Sequence, residues 1–156
     1  MQQRLVRAAG QQRAAPTSWL EVENLAQVEL TSEDPAHPIE AALHPGGDFG
    51  WRASEPGSQS IRLLFDQPQR LRRIRLHFVE PTAERTQEFS LRWSPDNGRS
   101  FQDVVRQQYT FSPGGATSEI EDLEVDLAAA TALELTIIPD QGRGQAHASL
   151  AEWLLA

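Results

Sequence analysis

Three observations predict an all-β protein, an antiparallel β-sandwich of about eight strands. The first is alternation. In Ile61-Arg62-Leu63-Leu64-Phe65 and again in Ile74-Arg75-Leu76-His77-Phe78, large apolar residues recur at every second position, which in a strand gathers them on one face. The second is what lies between them. Arg62, Arg73, Arg75 and His77 need a solvated side, which antiparallel sheets provide and doubly covered parallel sheets do not. The third is spacing: short alternating runs return at intervals of roughly 8–12 residues with turn chemistry between them, the pattern of a sandwich or barrel.

Taken in order, residues 1–17 read as a flexible or loosely helical tail. The stretch Met1–Pro16 carries Arg4, Arg7 and Arg13, no acid, and only Leu5 and Val6 as sizeable apolar groups, too little for a signal-peptide core. Order is expected from about Trp19, so residues 18–156 form the folded domain. Leu25–Leu30 alternates as a first strand. Two prolines make Thr31–Pro38 a loop, and Ile39–Leu43 is a short apolar turn. Next, His44–Trp51 packs three glycines around an acid and two aromatics, a tight crossing or a binding lip. Ile61–Phe65 and Ile74–Phe78 are read as two strands, followed by a charged connection over Glu80–Glu88. Phe89, Leu91 and Trp93 alternate in another strand, and Ser94-Pro95-Asp96-Asn97-Gly98 supplies the positive φ of a hairpin turn. Phe101–Phe111 returns as a long or broken strand. In Glu119–Leu127 the five acids are read as the solvated side of a strand. Leu133–Ile137 is the next strand, stopped by Pro139, and Ala148–Ala156 closes the sheet.

The 156 residues are enough for one domain with a sizeable core. There is no cysteine, which removes disulfides, thiolate metal sites and cysteine nucleophiles. All 14 basic residues are arginine. The formal charge of −8 argues against nucleic-acid and anionic-membrane partners, and no apolar run approaches the roughly 20 residues that cross a bilayer. Together with the missing signal-peptide core, these features lead us to expect a cytoplasmic protein. His37, His44, His77 and His147 show no metal-ligand spacing. No nucleophile elbow, phosphate loop or dinucleotide glycine pattern occurs, so no catalytic residue is assigned.

The order of features resembles the discoidin, or coagulation-factor type C, family of galactose-binding-like jelly rolls. The residues that carry the resemblance are Ala42-Leu43 with Trp51, the strands Ile61–Phe65 and Ile74–Phe78, Ser94–Gly98 with Phe101, and Ala151-Glu152 near the end. It spans Leu25–Ala156. His44-Pro45 stands where that family often has Asp-Gly, and Gly50 precedes the tryptophan where a threonine-containing pair is common.

The resemblance implies a jelly roll and a non-catalytic binding module for a carbohydrate. The alternative is a protein-interaction domain inside the cell on the same scaffold. The expected binding surface comprises His37, Arg85, Gln87, Tyr109 and Arg143. Arg85 and Gln87 sit just before a strand, where related sugar-binding modules place an arginine and an amide. Such fork-shaped donors suit vicinal hydroxyls, and a tyrosine on a loop rim would stack on a sugar face. The competing reading pairs Arg85 with Glu84 or Glu88 on the surface. No cofactor is required by the sequence. A structural calcium, which the resemblance allows, would use Asp48 and Glu152 with backbone carbonyls. In the competing reading, favoured by the His44-Pro45 departure, Glu152 accepts backbone N–H groups of that loop without an ion. Trp51, Trp93, Phe89 and Phe101 are expected in the core.

Overall fold

The computed structural model describes residues 18–46, 50–142 and 144–156. The tail expected over residues 1–17 lies outside them. Eight strands are present among the described residues: β1 Ala26–Leu30, β2 Trp51–Pro56, β3 Gln59–Val79, β4 Arg85–Ser94, β5 Gln102–Phe111, β6 Ser118–Ile138, β7 His147–Leu150 and β8 Glu152–Leu155. A one-turn helix, Val22–Leu25, precedes β1, and a 3-10 turn, Ile39–Ala42, lies between β1 and β2. All strand pairs are antiparallel, as the solvated arginines require. No helix of the described residues is long and apolar enough to cross a membrane.

One ladder runs β1-β3-β6-β4-β5, with β8 also on β3, while β2 pairs with β7. Register shows how this single ladder makes two layers. The first half of β3 lies between β1 and the second half of β6, through Leu30↔Ile61 and Ile61↔Leu135. Its second half lies between β8 and the first half of β6, through Leu76↔Trp153 and Leu76↔Glu121. Thus β3 and β6 cross from a five-stranded layer into a three-stranded one, and the result is an antiparallel jelly-roll sandwich. Ile61, Leu63, Ile74, Leu76, Leu91, Leu133 and Leu135 are fully buried between the layers, and Phe78 meets Phe89 at 5.0 Å between ring centroids.

The two central strands expected from the sequence are therefore one. Asp66, Gln67 and Pro68 are exposed at its bend, and the pairing with β6 shifts register between Leu64 and Gln69, Gln69 and Leu71, and Leu71 and Arg73. Pro68 lacks an N–H and is tolerated in that irregular stretch, and no glycine or asparagine is there to reverse the chain. The same crossing fuses Glu119–Leu127 and Leu133–Ile137 into β6. At the other extreme, the closing strand is divided at Ala151, whose N–H bonds the His77 carbonyl at 2.8 Å. The predicted turn is as expected, with Asn97 at φ 63° and Gly98 at φ 86°.

Two further expectations are corrected. Phe101 leaves the core and lies on the outer face of the large layer, where Arg62 and Arg92 approach its ring at 5.1 and 4.7 Å. Trp93 is only partly buried, whereas Trp51 and Phe89 are core. Of the five acids over Glu119–Leu127, Asp122, Glu124 and Asp126 face solvent, but Glu119 and Glu121 have the inward parity of Leu123 and Leu127. Glu119 is 7% exposed with an unpartnered Oε1. Burial, and then Glu121 beside it, push the Glu119 carboxyl up to about 8.

Candidate functional site

Register places several connections at one end of the sandwich. The pairs Leu30↔Ile61, Glu88↔Ile138, Arg85↔Phe111 and Val79↔Ser118 gather the β3–β4, β5–β6 and β6–β7 connections there with the start of the β1–β2 connection. Between them opens a cleft of about 510 Å³ lined by Ala83, Glu84, Arg85, Thr86 and Asp140.

Arg85 opens β4 and is only 4% exposed. Its Nε donates to Glu80 Oε1 at 2.8 Å. Nη1 donates to Gln87 Oε1 at 2.9 Å and to the Pro139 carbonyl at 2.8 Å, and Cζ lies 5.0 Å from the Phe111 ring centroid. The guanidinium is thus fixed by a carboxylate, an amide, a backbone carbonyl and a ring. Nη2 has no hydrogen-bond partner and is not among the sealed-off atoms. Burial pushes the Glu80 carboxyl up, but hydrogen bonds from Arg85 and from the N–H groups of Thr82 and Ala83 outweigh it and hold the carboxyl below its ordinary value. Gln141 N–H bonds the Thr86 carbonyl at 2.8 Å, which together with the Pro139 contact seats Asp140 beside the start of β4.

Other expected residues are placed differently. Gln87 is completely buried; its oxygen orients Arg85 and its Nε2 has no partner. Tyr109 faces Gln87 in the ladder, sets its ring edge-on to Phe111 at 5.1 Å and donates its hydroxyl to the Ser118 carbonyl at 3.1 Å. It closes the seam between β5 and β6 and is not a rim platform. His37 lies in the β1–β2 connection beside β2, with its carbonyl bonded to Arg52 N–H at 3.1 Å and Nδ1 3.4 Å from Asp34. It does not line the cleft. Arg143 lies outside the described residues. The surface pairing expected for Arg85 is also corrected: its partner is Glu80, and Glu88 takes Arg106 at 2.8 Å.

Glu152 accepts the Gly46 N–H through Oε2 at 2.8 Å, while Arg75 Nε and His77 Nδ1 lie 3.5 and 3.8 Å from Oε1. One oxygen accepts an amide hydrogen and the other lies toward a guanidinium, the arrangement expected of a carboxylate that holds the backbone of this loop. Asp48, the other expected ligand, lies outside the described residues. Gly50 is a tight crossing: its φ is +61°, and a Cβ there would stand 2.1 Å from the Leu150 carbonyl oxygen.

On the outer face of the large layer, Glu134 joins Arg62, at 2.6 Å, and Arg92 beneath Phe101. Burial pushes the Glu134 carboxyl up, but Arg92 and Arg62 outweigh it and hold the group below its ordinary value. A groove of about 300 Å³ runs from this cluster past Glu29, Thr31 and Ser60. Sequence reading missed Glu80, Thr86, Asp140 and Glu134 as members of these constellations. For Glu80 a signal existed, a carboxylate at a strand end five residues before a candidate arginine.

No protein-family model matches the chain, and no curated protein matches it. Solved structures do. CpGH89CBM32-5 from Clostridium perfringens, in complex with GalNAc-β-1,3-galactose, aligns with a TM-score of 0.61 at 21% identity over 88% of this chain and 99% of that one. The CBM32 of AlyQ, in complex with 4,5-unsaturated mannuronic acid, gives 0.62 at 14% identity over 90% and 98%. Reduced XRCC1 bound to the DNA pol beta catalytic domain gives 0.60 at 13% identity over 85% and 95%. At these identities the likeness is one of fold: this chain has the galactose-binding-like jelly roll that carbohydrate-binding modules of family 32 share with discoidin domains.

Proposed function

We propose that this chain is a non-catalytic carbohydrate-binding module whose ligand enters the cleft at Arg85. One observation carries the reading: a buried guanidinium, held on three sides, keeps one nitrogen unbonded at a polar cleft. Sugar hydroxyls are acceptors for such a nitrogen and donors to Glu84 and Asp140, and a pre-oriented arginine loses little conformational freedom on binding. The fold neighbours solved with GalNAc-β-1,3-galactose, galactose or mannuronic acid support the same class of ligand. A glycan array with the chain and its Thr86→Trp variant tests it. Thr86 lines the cleft and takes no part in holding Arg85, so the expected result is glycan binding abolished by Thr86→Trp at an unchanged melting temperature. Binding that survives the variant would move the site elsewhere.

A second reading, a protein-interaction domain, draws on the outer face. Phe101 with Arg62 and Arg92 has the aromatic and arginine composition of interface hot spots, and one fold neighbour is solved on a protein partner. A blank array, together with a specific protein that is recovered by the chain and lost with Phe101→Ala, favours this reading.

A further inference from the structure

We infer that the Arg85 cleft selects a sugar bearing a free amine, a glucosamine-type residue, over its N-acetylated and its acidic counterparts. The inference rests on the carbohydrate reading above and follows from the charges around the cleft. Arg85 is the sole cation among the described residues that line the cleft, and its charge is matched by Glu80 at 2.8 Å, a carboxyl held in its ionised form by that contact. Glu84 and Asp140 then remain as formal charges that no basic side chain among the described residues offsets by an ion pair. Asp140 has one weak bond, from the Gly142 N–H at 3.3 Å to Oδ1.

The site therefore offers a hydroxyl partner at Arg85 Nη2 and a negative rim beside it. An ammonium on the carbon next to a hydroxyl matches that pair: the hydroxyl oxygen accepts from Nη2, and the ammonium donates to Glu84 or Asp140. An acetamide in the same place gives up the charge and adds bulk. A uronate brings its carboxylate toward two others, in a chain whose formal charge is already −8, and like charges in a shared cleft reject a ligand. The position of Asp140 is not incidental, since the Pro139 carbonyl bonds Arg85 and the Gln141 N–H bonds the Thr86 carbonyl. Both flanks of the aspartate are tied to the residues that form the opposite wall.

The test is calorimetric titration of the full chain at pH 6 with three oligosaccharides of equal length: glucosamine, N-acetylglucosamine and galacturonate oligomers. Glucosamine oligomers should bind roughly tenfold more tightly than the N-acetylated ones, the scale of two partly exposed charge contacts, and galacturonate should bind most weakly. Asp140→Asn and Glu84→Gln should each reduce that preference and leave the melting temperature in place, and added salt should erode it. Equal or tighter binding of the acetylated or acidic series, abolished by Thr86→Trp, would overturn the amine preference and leave the carbohydrate site standing. Silence of all three series and of a wider glycan array would sink the carbohydrate reading and this inference with it. A preference for glucosamine that Asp140→Asn and Glu84→Gln leave unchanged would also refute the assignment, since the charge would then be read by other residues.

Discussion

Replacing Glu119 by glutamine should stabilise the protein at alkaline pH and leave it nearly unchanged in mild acid. In the native sandwich Glu119 holds its proton up to about pH 8 because burial and the neighbouring Glu121 disfavour its charge. In the unfolded chain it titrates near the ordinary glutamate value of about 4.3. Between these limits the native state binds more protons than the unfolded one, so stability falls as pH rises from about 4.5 to about 8 and is flat above. At about 1.4 kcal/mol for each pH unit the ceiling is roughly 5 kcal/mol. Glu121 is only half-buried, so screening brings the expected effect to about 2 kcal/mol. Glutamine copies the protonated shape and keeps a donor for Glu121. Urea denaturation of both proteins at pH 5, 7 and 9 measures the effect. Midpoints should coincide within error at pH 5 and diverge toward pH 9, where the variant should be about 2 kcal/mol more stable, and thermal melting at pH 9 should place its midpoint about 4–8 °C higher. Parallel lines across that range, or a less stable variant at pH 9, would refute the argument that Glu119 is buried with a proton.

Gly50→Ala should cost at least about 3 kcal/mol or abolish folding, because φ +61° and the Leu150 carbonyl both exclude a Cβ; Gly114→Ala, with open space around it, should change the stability measured by urea denaturation by less than about 0.5 kcal/mol. Glu134→Ala should cost about 1–2 kcal/mol in the same assay. It leaves Arg62 and Arg92 facing each other beneath Phe101, and both are more than a third exposed, or nearly so, which limits the penalty. Melting curves with millimolar calcium and with chelator should superimpose, since the carboxylate of Glu152 is engaged by Gly46 and flanked by Arg75; a rise of several degrees with calcium would overturn that view.

Alternation was enough to identify the strands other than β2, because an apolar residue at every second position has one low-energy placement on a half-buried sheet; β2, Trp51–Pro56, buries only Trp51 and Ala53 and was not read as a strand. What it could not show was that Leu71 continues the strand that Phe65 seemed to end. A bulge leaves the parity of the pattern broken without stopping the chain, and from sequence this looks like a turn. The same limit hid Glu119. Acids at Glu119 and Glu121 alternate in phase with Leu123 and Leu127, so parity placed them inward, yet their charge argued for water, and the structure follows parity. Arg85 was a candidate through the resemblance, at a position read as the connection before a strand, and it proves to open β4 itself. Its fixation was not visible, since Glu80, Gln87, Pro139 and Phe111 come from four separate stretches that only the fold brings together. Phe101 was misjudged for a related reason: aromatic rings are counted as core by habit, and two arginines gave this one a partner on the opposite face.

Because β3 and β6 each run through both layers, the sandwich has no plane along which it can come apart. In a sandwich of two separate sheets, one can loosen while the other holds, and exchange of amide hydrogens then reports two populations. Here the backbone bonds of Ile61 and of Leu76 belong to one continuous 21-residue strand, and fraying at the cleft end pulls on the same strands that brace the far end. Slowly exchanging amides should therefore lie along β3 and β6 in both layers and be released together, in one cooperative event. The loops around Arg85 are then free to vary in length and chemistry, since the element that makes the molecule a single mechanical unit passes behind them.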